Sequence, residues 1–324
     1  MRPPNTITNK CLNLSLEIAT ILGHLEGVRS KAPQPELRKQ NRIRTIQGSL
    51  SIEGNTLTIP QITAILENKR VIGSQNDILE VVNAIETYEH ISSYKFGNVK
   101  SMLKAHKYLL NGLIEEAGCF RKGGVGILKN KEFSHLAPPA SRVPLLMDNL
   151  FSYLKTEKDT HPLIKSCVFH YELMFIHPFF NGNGRIGRLW QTVILMKYQP
   201  IFEFLPIESL IKEKQKAYYK VLEECDSCDD STAFIEFLLN LILISLKEFK
   251  IDVVVENQTA ESRLELAKKQ FGKNNFSRKA YMLFHKTISS ATASRDLKSG
   301  VDLEILLKQG EKSRTEYRFN HLDG

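Results

Sequence analysis

Twelve consecutive residues, His177-Pro178-Phe179-Phe180-Asn181-Gly182-Asn183-Gly184-Arg185-Ile186-Gly187-Arg188, bring together a base, a glycine-rich turn and two cations. An imidazole titrates near neutrality, so His177 can take a proton from a hydroxyl. Gly182 and Gly184 have no Cβ and let a ligand approach the backbone closely. Asn181 and Asn183 add amide oxygens and N–H donors beside them. Arg185 and Arg188 are three apart, hence on one helix face, and each can fork onto phosphate oxygens. A helix starting near Gly184 aims its free N–H groups and the positive end of its dipole back at the loop, which makes an anion site. The set fits the binding of a phosphate-bearing ligand beside a base.

Helices must hold this loop on both sides. Pro162 to Ile176 is strongly apolar and Arg185 to Tyr198 resumes helical spacing, so the twelve residues form a helix–loop–helix junction. Upstream, helical spacing covers Asn13–Leu25, Glu36–Ser51, Gln61–Glu67, Ser74–Tyr94 and Lys100–Ile114, with a proline-bearing loop at Lys31–Glu36. Gly118 to Pro139 breaks the helical pattern with four glycines and Pro138-Pro139 around β-prone runs, and reads as a hairpin-like flap. Arg142–Lys155, Leu210–Glu224 and Thr232–Asp252 complete a mostly helical body. After a polar joint at Glu256–Ser262 come short helices at Arg263–Phe271, Ser277–His285 and Ala291–Lys298, then strands at Val301–Leu307 and Thr315–Phe319, the order of a winged helix-turn-helix. The expected fold class is therefore mostly α, divided as an N-terminal helical region (1–97), a core (98–255) and a small C-terminal domain (260–324).

Composition bounds the rest. The 324 residues carry a formal charge of +8, with 42% hydrophobic and 25% charged residues, ordinary globular values. No apolar run reaches the roughly 20 residues of a membrane span, and the first ten residues lack an apolar leader segment. Five cysteines without regular spacing fit free thiols and a cytoplasmic location. Cys225 and Cys228 have no second such pair and sit among acids, which favours a structural reading over zinc or redox chemistry. From Glu261 onward 13 Lys and Arg face 8 Asp and Glu, so most of the excess charge lies in the tail.

At His177–Arg188 the sequence resembles the Fic family of nucleotidyltransferases, whose signature is HPFx[D/E]GNGRxxR; Asn181 stands where the family has an acid. The resemblance implies a Fic helical core with a β-hairpin flap. It implies ATP as substrate, phosphates bound along Gly182, Asn183, Gly184, Arg185 and Arg188, and Mg2+ or Mn2+ held at residue 181. His177 would deprotonate a hydroxyl of a target protein, or of this chain, which then receives AMP. The target would lie along the flap near Gly118–Pro139 by β-augmentation. Ile127 occupies a flap position that meets the nucleotide, and Tyr218-Tyr219 match a tyrosine pair near the adenosine, although a packed aromatic pair reads equally well. His106 reads as a packed structural histidine.

The resemblance also covers Ser49 to Gly54, SLSIEG, which matches an inhibitory motif [S/T]xxxE[G/N] through Ser49, Glu53 and Gly54. There the glutamate reaches the second arginine, here Arg188, and blocks the γ-phosphate; Gly54 would end the helix. Two alternatives stay open: a Fic-type transferase using another nucleotide or phosphate donor, and a DNA-binding regulator with a weakly active core. Ser290 or Thr292 can cap the helix bearing Arg295 and Lys298, and Gly310, Lys312, Arg314 and Arg318 fall on or near a wing, so the tail could meet DNA or another protein. A homodimer is a further expectation from the resemblance.

Overall fold

The computed structural model describes residues 3–28, 35–129, 132–256, 260–285, 288–310 and 315–320, and these are mostly helical, as the apolar spacing predicts. The chain divides after Glu248 into two units. The first contains α1 (Asn9–Val28), α2 (Pro35–Ile52), α3 (Ile59–Leu66), α4 (Gln75–Glu89), α5 (Val99–Leu109), strands β1 (Gly126–Lys129) and β2 (Glu132–Leu136), α6 (Val143–Thr156), α7 (Pro162–Ile176), α8 (Asn183–Tyr198), α9 (Ile207–Glu213), α10 (Gln215–Cys228) and most of α11 (Thr232–Glu256). The second contains α12 (Ala260–Phe271), β3 (Phe276–Ser277), α13 (Arg278–His285), α14 (Ser290–Asp302), β4 (Leu306–Gln309) and β5 (Glu316–Phe319).

The antiparallel pair α7 and α8 lies at the centre of the first unit. Pro162 opens α7 at a position where its missing N–H costs nothing, and His161 caps it by accepting the Leu163 N–H through Nδ1 at 3.2 Å. Every residue of α8 from Asn183 to Leu195 is buried, so the helix has no solvent-facing side over this stretch. Phe151, Phe169, Phe179 and Trp190 fill the surrounding core. β1 and β2 form the expected flap as an antiparallel hairpin, with Ile127 opposite His135 and an irregularity after Ile127. Residues 130–131 lie outside the described residues.

The structure departs from the sequence expectation at Leu210–Glu224, which is two helices broken at Lys214 (φ −104°, ψ 27°). Neither proline nor glycine marks the break, and packing on α2 sets it. A Cβ on Gly48 of α2 would lie 2.6 Å from the Ser209 backbone nitrogen, so α9 rests directly on α2. Lys212 Nζ and Gln215 Nε2 then donate to the Ser51 and Ile52 carbonyls at 2.6 and 3.0 Å, which satisfies the open end of α2. The loop expected at Lys31–Glu36 also changes: Pro35 and Glu36 open α2, and 31–34 lie outside the described residues.

In the second unit the three expected helices and the hairpin are present, and β3 joins them in a three-stranded antiparallel sheet of order β3-β5-β4. Leu264, Ala267, Phe276, Tyr281, Ala293, Leu297, Leu306 and Phe319 make its core. Helix α14 runs to Asp302, so Val301 is helical and the strand starts at Leu306. Its cap is Ser289, not Ser290 or Thr292: the Ser289 hydroxyl accepts the Thr292 N–H at 3.1 Å. Lys312 and Arg314 lie outside the described residues. Among the described residues no helix is long and apolar enough to cross a membrane.

Candidate active site

His177 ends α7 in the left-handed conformation (φ 49°, ψ 59°), with its N–H on the Leu173 carbonyl at 3.0 Å. Pro178 follows and disfavours further right-handed helix at His177, so the chain must turn there. The ring Nδ1 lies 3.4 Å from the Met174 carbonyl oxygen. A carbonyl only accepts, so Nδ1 carries the proton and the basic lone pair of the neutral ring falls on Nε2.

Between His177 and α8 the loop is closed by its own polar groups. Asn183 accepts the Phe179 N–H at 2.9 Å and donates to the Phe179 carbonyl at 2.8 Å. The Asn183 side chain therefore shapes the loop, which leaves its backbone N–H among the donors at the helix start. Gly182 takes φ +80° to enter α8. The sequence placed Asn181 as a metal ligand, but its Oδ1 accepts the Gly182 N–H at 2.6 Å and Arg185 Nη2 at 2.9 Å. Among the described residues no group of three or more His, Cys, Asp or Glu is placed to hold a metal ion. Mg2+ is commonly held by one or two protein oxygens together with substrate phosphates and waters, and an amide oxygen can serve as one of them without a full charge, so Asn181 Oδ1 would have to give up its present donors to hold the ion.

Both arginines meet carboxylates from distant elements. Arg185 Nη1 bonds Glu80 Oε1 of α4 at 2.8 Å. Arg188, with its side chain only 1% exposed, donates from Nη2 to Glu53 Oε1 at 2.8 Å and to the Ser49 carbonyl at 3.0 Å, and from Nε to the Ser49 hydroxyl at 3.3 Å. Ser49, Glu53 and Arg188 are thus one cluster. Gly54 ends α2 with φ +98°, its N–H on the Ser51 carbonyl at 3.2 Å while Asn55 N–H reaches Leu50 at 3.2 Å, the paired bonds of a Schellman cap. A Cβ on Gly184 would lie 2.7 Å from Glu53 Oε1 and 2.9 Å from Arg188 Nη1, so the ion pair uses the space that this glycine leaves open. Burial works against ionisation of Glu53, but the charge and hydrogen bond of Arg188, aided by Arg185 and His177, outweigh it and hold the carboxyl below its ordinary range.

The tyrosine pair divides. Tyr218 is fully buried with its hydroxyl 3.0 Å from His170 Nε2, so it packs the core behind α8; Tyr219 is 40% exposed and is the member that can face a ligand. Ile127 sits on β1 of the flap. Cys225 and Cys228 are free thiols, and burial pushes Cys225 up to about 11, which suits a structural role.

Two residues beyond the signature fasten the flap to the loop. His106 is buried and stacked on Phe179, with ring centroids 3.7 Å apart. Its Nδ1 accepts the Gly118 N–H at 2.8 Å and its Nε2 faces the Asn181 carbonyl at 3.0 Å, which fixes the neutral tautomer with the proton on Nε2. Burial lowers its pKa to about 4, in keeping with that neutral form. Arg121, 2% exposed, donates to the carbonyls of His177 (2.7 Å), Gly123 (2.9 Å), Pro138 (2.5 Å) and Ile176 (3.3 Å). One guanidinium thus ties both flap ends to the turn at His177. Nothing in the local sequence marked Arg121, because its partners are backbone carbonyls, those of Ile176 and His177 more than fifty positions along the chain. Arg121→Ala should lower unfolding stability by about 3 kcal/mol, the scale of several lost bonds to one buried charged group; urea denaturation measures it, and an unchanged midpoint would refute the clamp.

Comparison with known proteins accords with this geometry. The Fic/DOC family model matches residues 97–195. A Fic family protein of Desulfovibrio desulfuricans G20, solved by crystallography, is 38% identical, with 99% of this chain and 98% of that one covered at a TM-score of 0.77. A Fic domain containing signaling protein of Bacteroides thetaiotaomicron shares the fold at 20% identity and TM-score 0.61, over 78% of this chain and all of that one. Proteins named protein adenylyltransferase Fic from Drosophila melanogaster and Culex quinquefasciatus are 29% identical over 212 residues, which span 62% of this chain and 40% of each relative's length.

Proposed function

Because the chain belongs to the Fic family, we propose that it is a protein adenylyltransferase, moving AMP from ATP to a hydroxyl of a target protein or of itself, and that Glu53 restrains it. The observation that carries this reading is the placement of His177 at one lip of the Gly182–Arg188 cradle, with Glu53 2.8 Å from Arg188 at the other. In the reaction the target O–H gives its proton to His177 Nε2. The oxygen forms a bond to the α-phosphorus, the bond from that phosphorus to the bridging oxygen of the β-phosphate breaks, and pyrophosphate leaves. The N–H groups at the start of α8, with Arg185 and Arg188, hold the phosphates, and the N–H groups and Arg188 take up the charge that develops. Arg121 and His106 hold the flap over this turn, where an extended segment of the target can add to the hairpin edge.

The test is the fate of label from ATP in the Glu53→Gly variant. Label at the α-phosphorus should appear on protein, and label at the γ-phosphorus should not. Transfer of the γ-label would replace AMP transfer by phosphate transfer.

A second reading concerns the C-terminal unit alone. Arg263 bonds Asp296 at 2.6 and 2.7 Å and Tyr281 adds a hydroxyl at 3.3 Å, which turns Asp296 inward. The opposite face of α14 leaves Arg295 and Lys298 exposed, with Arg278 exposed beside Ser294 at 3.0 Å. As a winged helix it would offer these cations to DNA phosphates. Gel shifts with random duplex DNA should weaken steeply with salt; an absence of binding at low salt would reject DNA as its partner.

A further inference from the structure

Glu80 is not part of the signature or the inhibitory motif, yet it touches one and reaches the other. Its Oε1 accepts from Arg185 Nη1 at 2.8 Å, and its Oε2 accepts from Asn55 Nδ2 at 2.9 Å. Asn55, itself 8% exposed, closes α2 through its backbone N–H on Leu50, gives Nδ2 also to the Asp77 carbonyl at 3.1 Å, and accepts the Leu57 N–H at 3.0 Å. Thr56 binds Asp77 Oδ2 through both its N–H (3.0 Å) and its hydroxyl (2.6 Å). Asp77 and Glu80 are three apart on α4, hence neighbours on one face. One face of α4 therefore holds both the segment that follows Glu53 and the first arginine of the cradle.

Charge explains why such a residue is needed. Asn181 is neutral, so the amide oxygen that meets Arg185 at 2.9 Å brings no counter-charge. Arg185 is 3% exposed, and its Nε is buried with no acceptor among the described residues. Without an anion a guanidinium so deeply placed would be a costly, poorly held cation. Glu80 supplies the missing anion from a separate helix and uses only one of the five N–H donors. An arginine held in this way loses little freedom when phosphate arrives.

We propose that Glu80 is a positioning residue for the nucleotide: from α4 it fixes Arg185 at the phosphate cradle and, through Asn55, couples that arginine to the end of the helix that carries Glu53. The proposal rests on the adenylyltransferase reading. It differs in sign from a second brake, because a competing carboxylate would raise ATP affinity when removed.

The experiment uses the full chain with Glu53→Gly as parent, with ATP and adenosine binding by calorimetry and AMP transfer kinetics. Adding Glu80→Ala should weaken ATP binding and raise KM for ATP by about tenfold, with kcat at saturating ATP within about twofold, since the loss falls on ground-state and transition-state binding alike. Glu80→Gln, which keeps an acceptor for Arg185 without its charge, should fall between, and Asn55→Ala should shift affinity less in the same direction. Adenosine affinity should not change, because it has no phosphate. Unchanged or tighter ATP binding by Glu80→Ala overturns the proposal. So does a joint fall in adenosine affinity and kcat, which would mark general damage to the pocket. A parent that fails to bind ATP sinks the adenylyltransferase reading itself, and is seen before Glu80 is altered.

Discussion

Glu53→Gly should raise auto-modification by ATP labelled at the α-phosphorus at least about tenfold over the parent chain, because about 1.4 kcal/mol of bias against the productive pose is enough for that ratio. The bias has an evident source. The Arg188 guanidinium lies buried beside the Glu53 carboxylate and two oxygens of Ser49, so its Nη2 and Nε donors are already engaged. A buried pair of this kind adds little net stability, since desolvation offsets attraction, but removing one partner leaves an uncompensated charge. The variant should therefore melt lower than the parent when empty and gain more from added ATP, whose phosphate replaces the lost carboxylate. Glu53→Gln keeps the side chain's shape, removes its charge and should give an intermediate rise. Equal labelling of parent and both variants would refute the brake.

The pH response follows from the same pair. The Glu53 carboxyl is held below its ordinary range, so the ion pair with Arg188 is complete at neutral pH and is lost only as pH falls through that lowered value. Mild acid should not release the parent enzyme. Under the proposed restraint, a signal that opens the site would have to move Glu53, or compete for Arg188, by means other than protonation near neutrality.

Local features were legible in the sequence and long-range ones were not. The loop from His177 to Arg188 is contiguous, so its residue types and spacing place the helix–loop–helix junction directly, and the Ser49–Gly54 motif names its own helix end. By contrast, Glu80 and Arg185 are 105 positions apart, and Arg121 reaches the His177 carbonyl across 56. No periodicity links them; tertiary packing alone does. The break between α9 and α10 was hidden for the same reason, since it is set by the Gly48 contact and by bonds from Lys212 and Gln215 to α2. Asn183 and Tyr218 carried the right residue types for ligand contact, yet their side-chain partners prove to be Phe179 and His170. Residue type predicts what a side chain can bond, and only the fold decides which partner arrives first.

His177→Ala, placed in the Glu53→Gly background, should reduce AMP transfer by about a thousandfold, within the range that a positioned general base contributes. The loss should appear in kcat, with the affinity for ATP within about threefold of the parent, because the proposed reaction seats the phosphates on Gly182 to Arg188 and not on the imidazole. The backbone at His177 is left-handed (φ 49°), where alanine is disfavoured by roughly 1–2 kcal/mol, so alanine could disturb the turn as well as remove the base. Asparagine tolerates that conformation and offers no comparable base, which makes His177→Asn the sharper variant. If the turn alone mattered, His177→Asn would transfer AMP almost normally while His177→Ala would not. If the imidazole takes the proton, both variants lose transfer together and both still bind ATP. Undiminished labelling by both would remove His177 from the role of base and require that the target hydroxyl be activated by another group in the cradle.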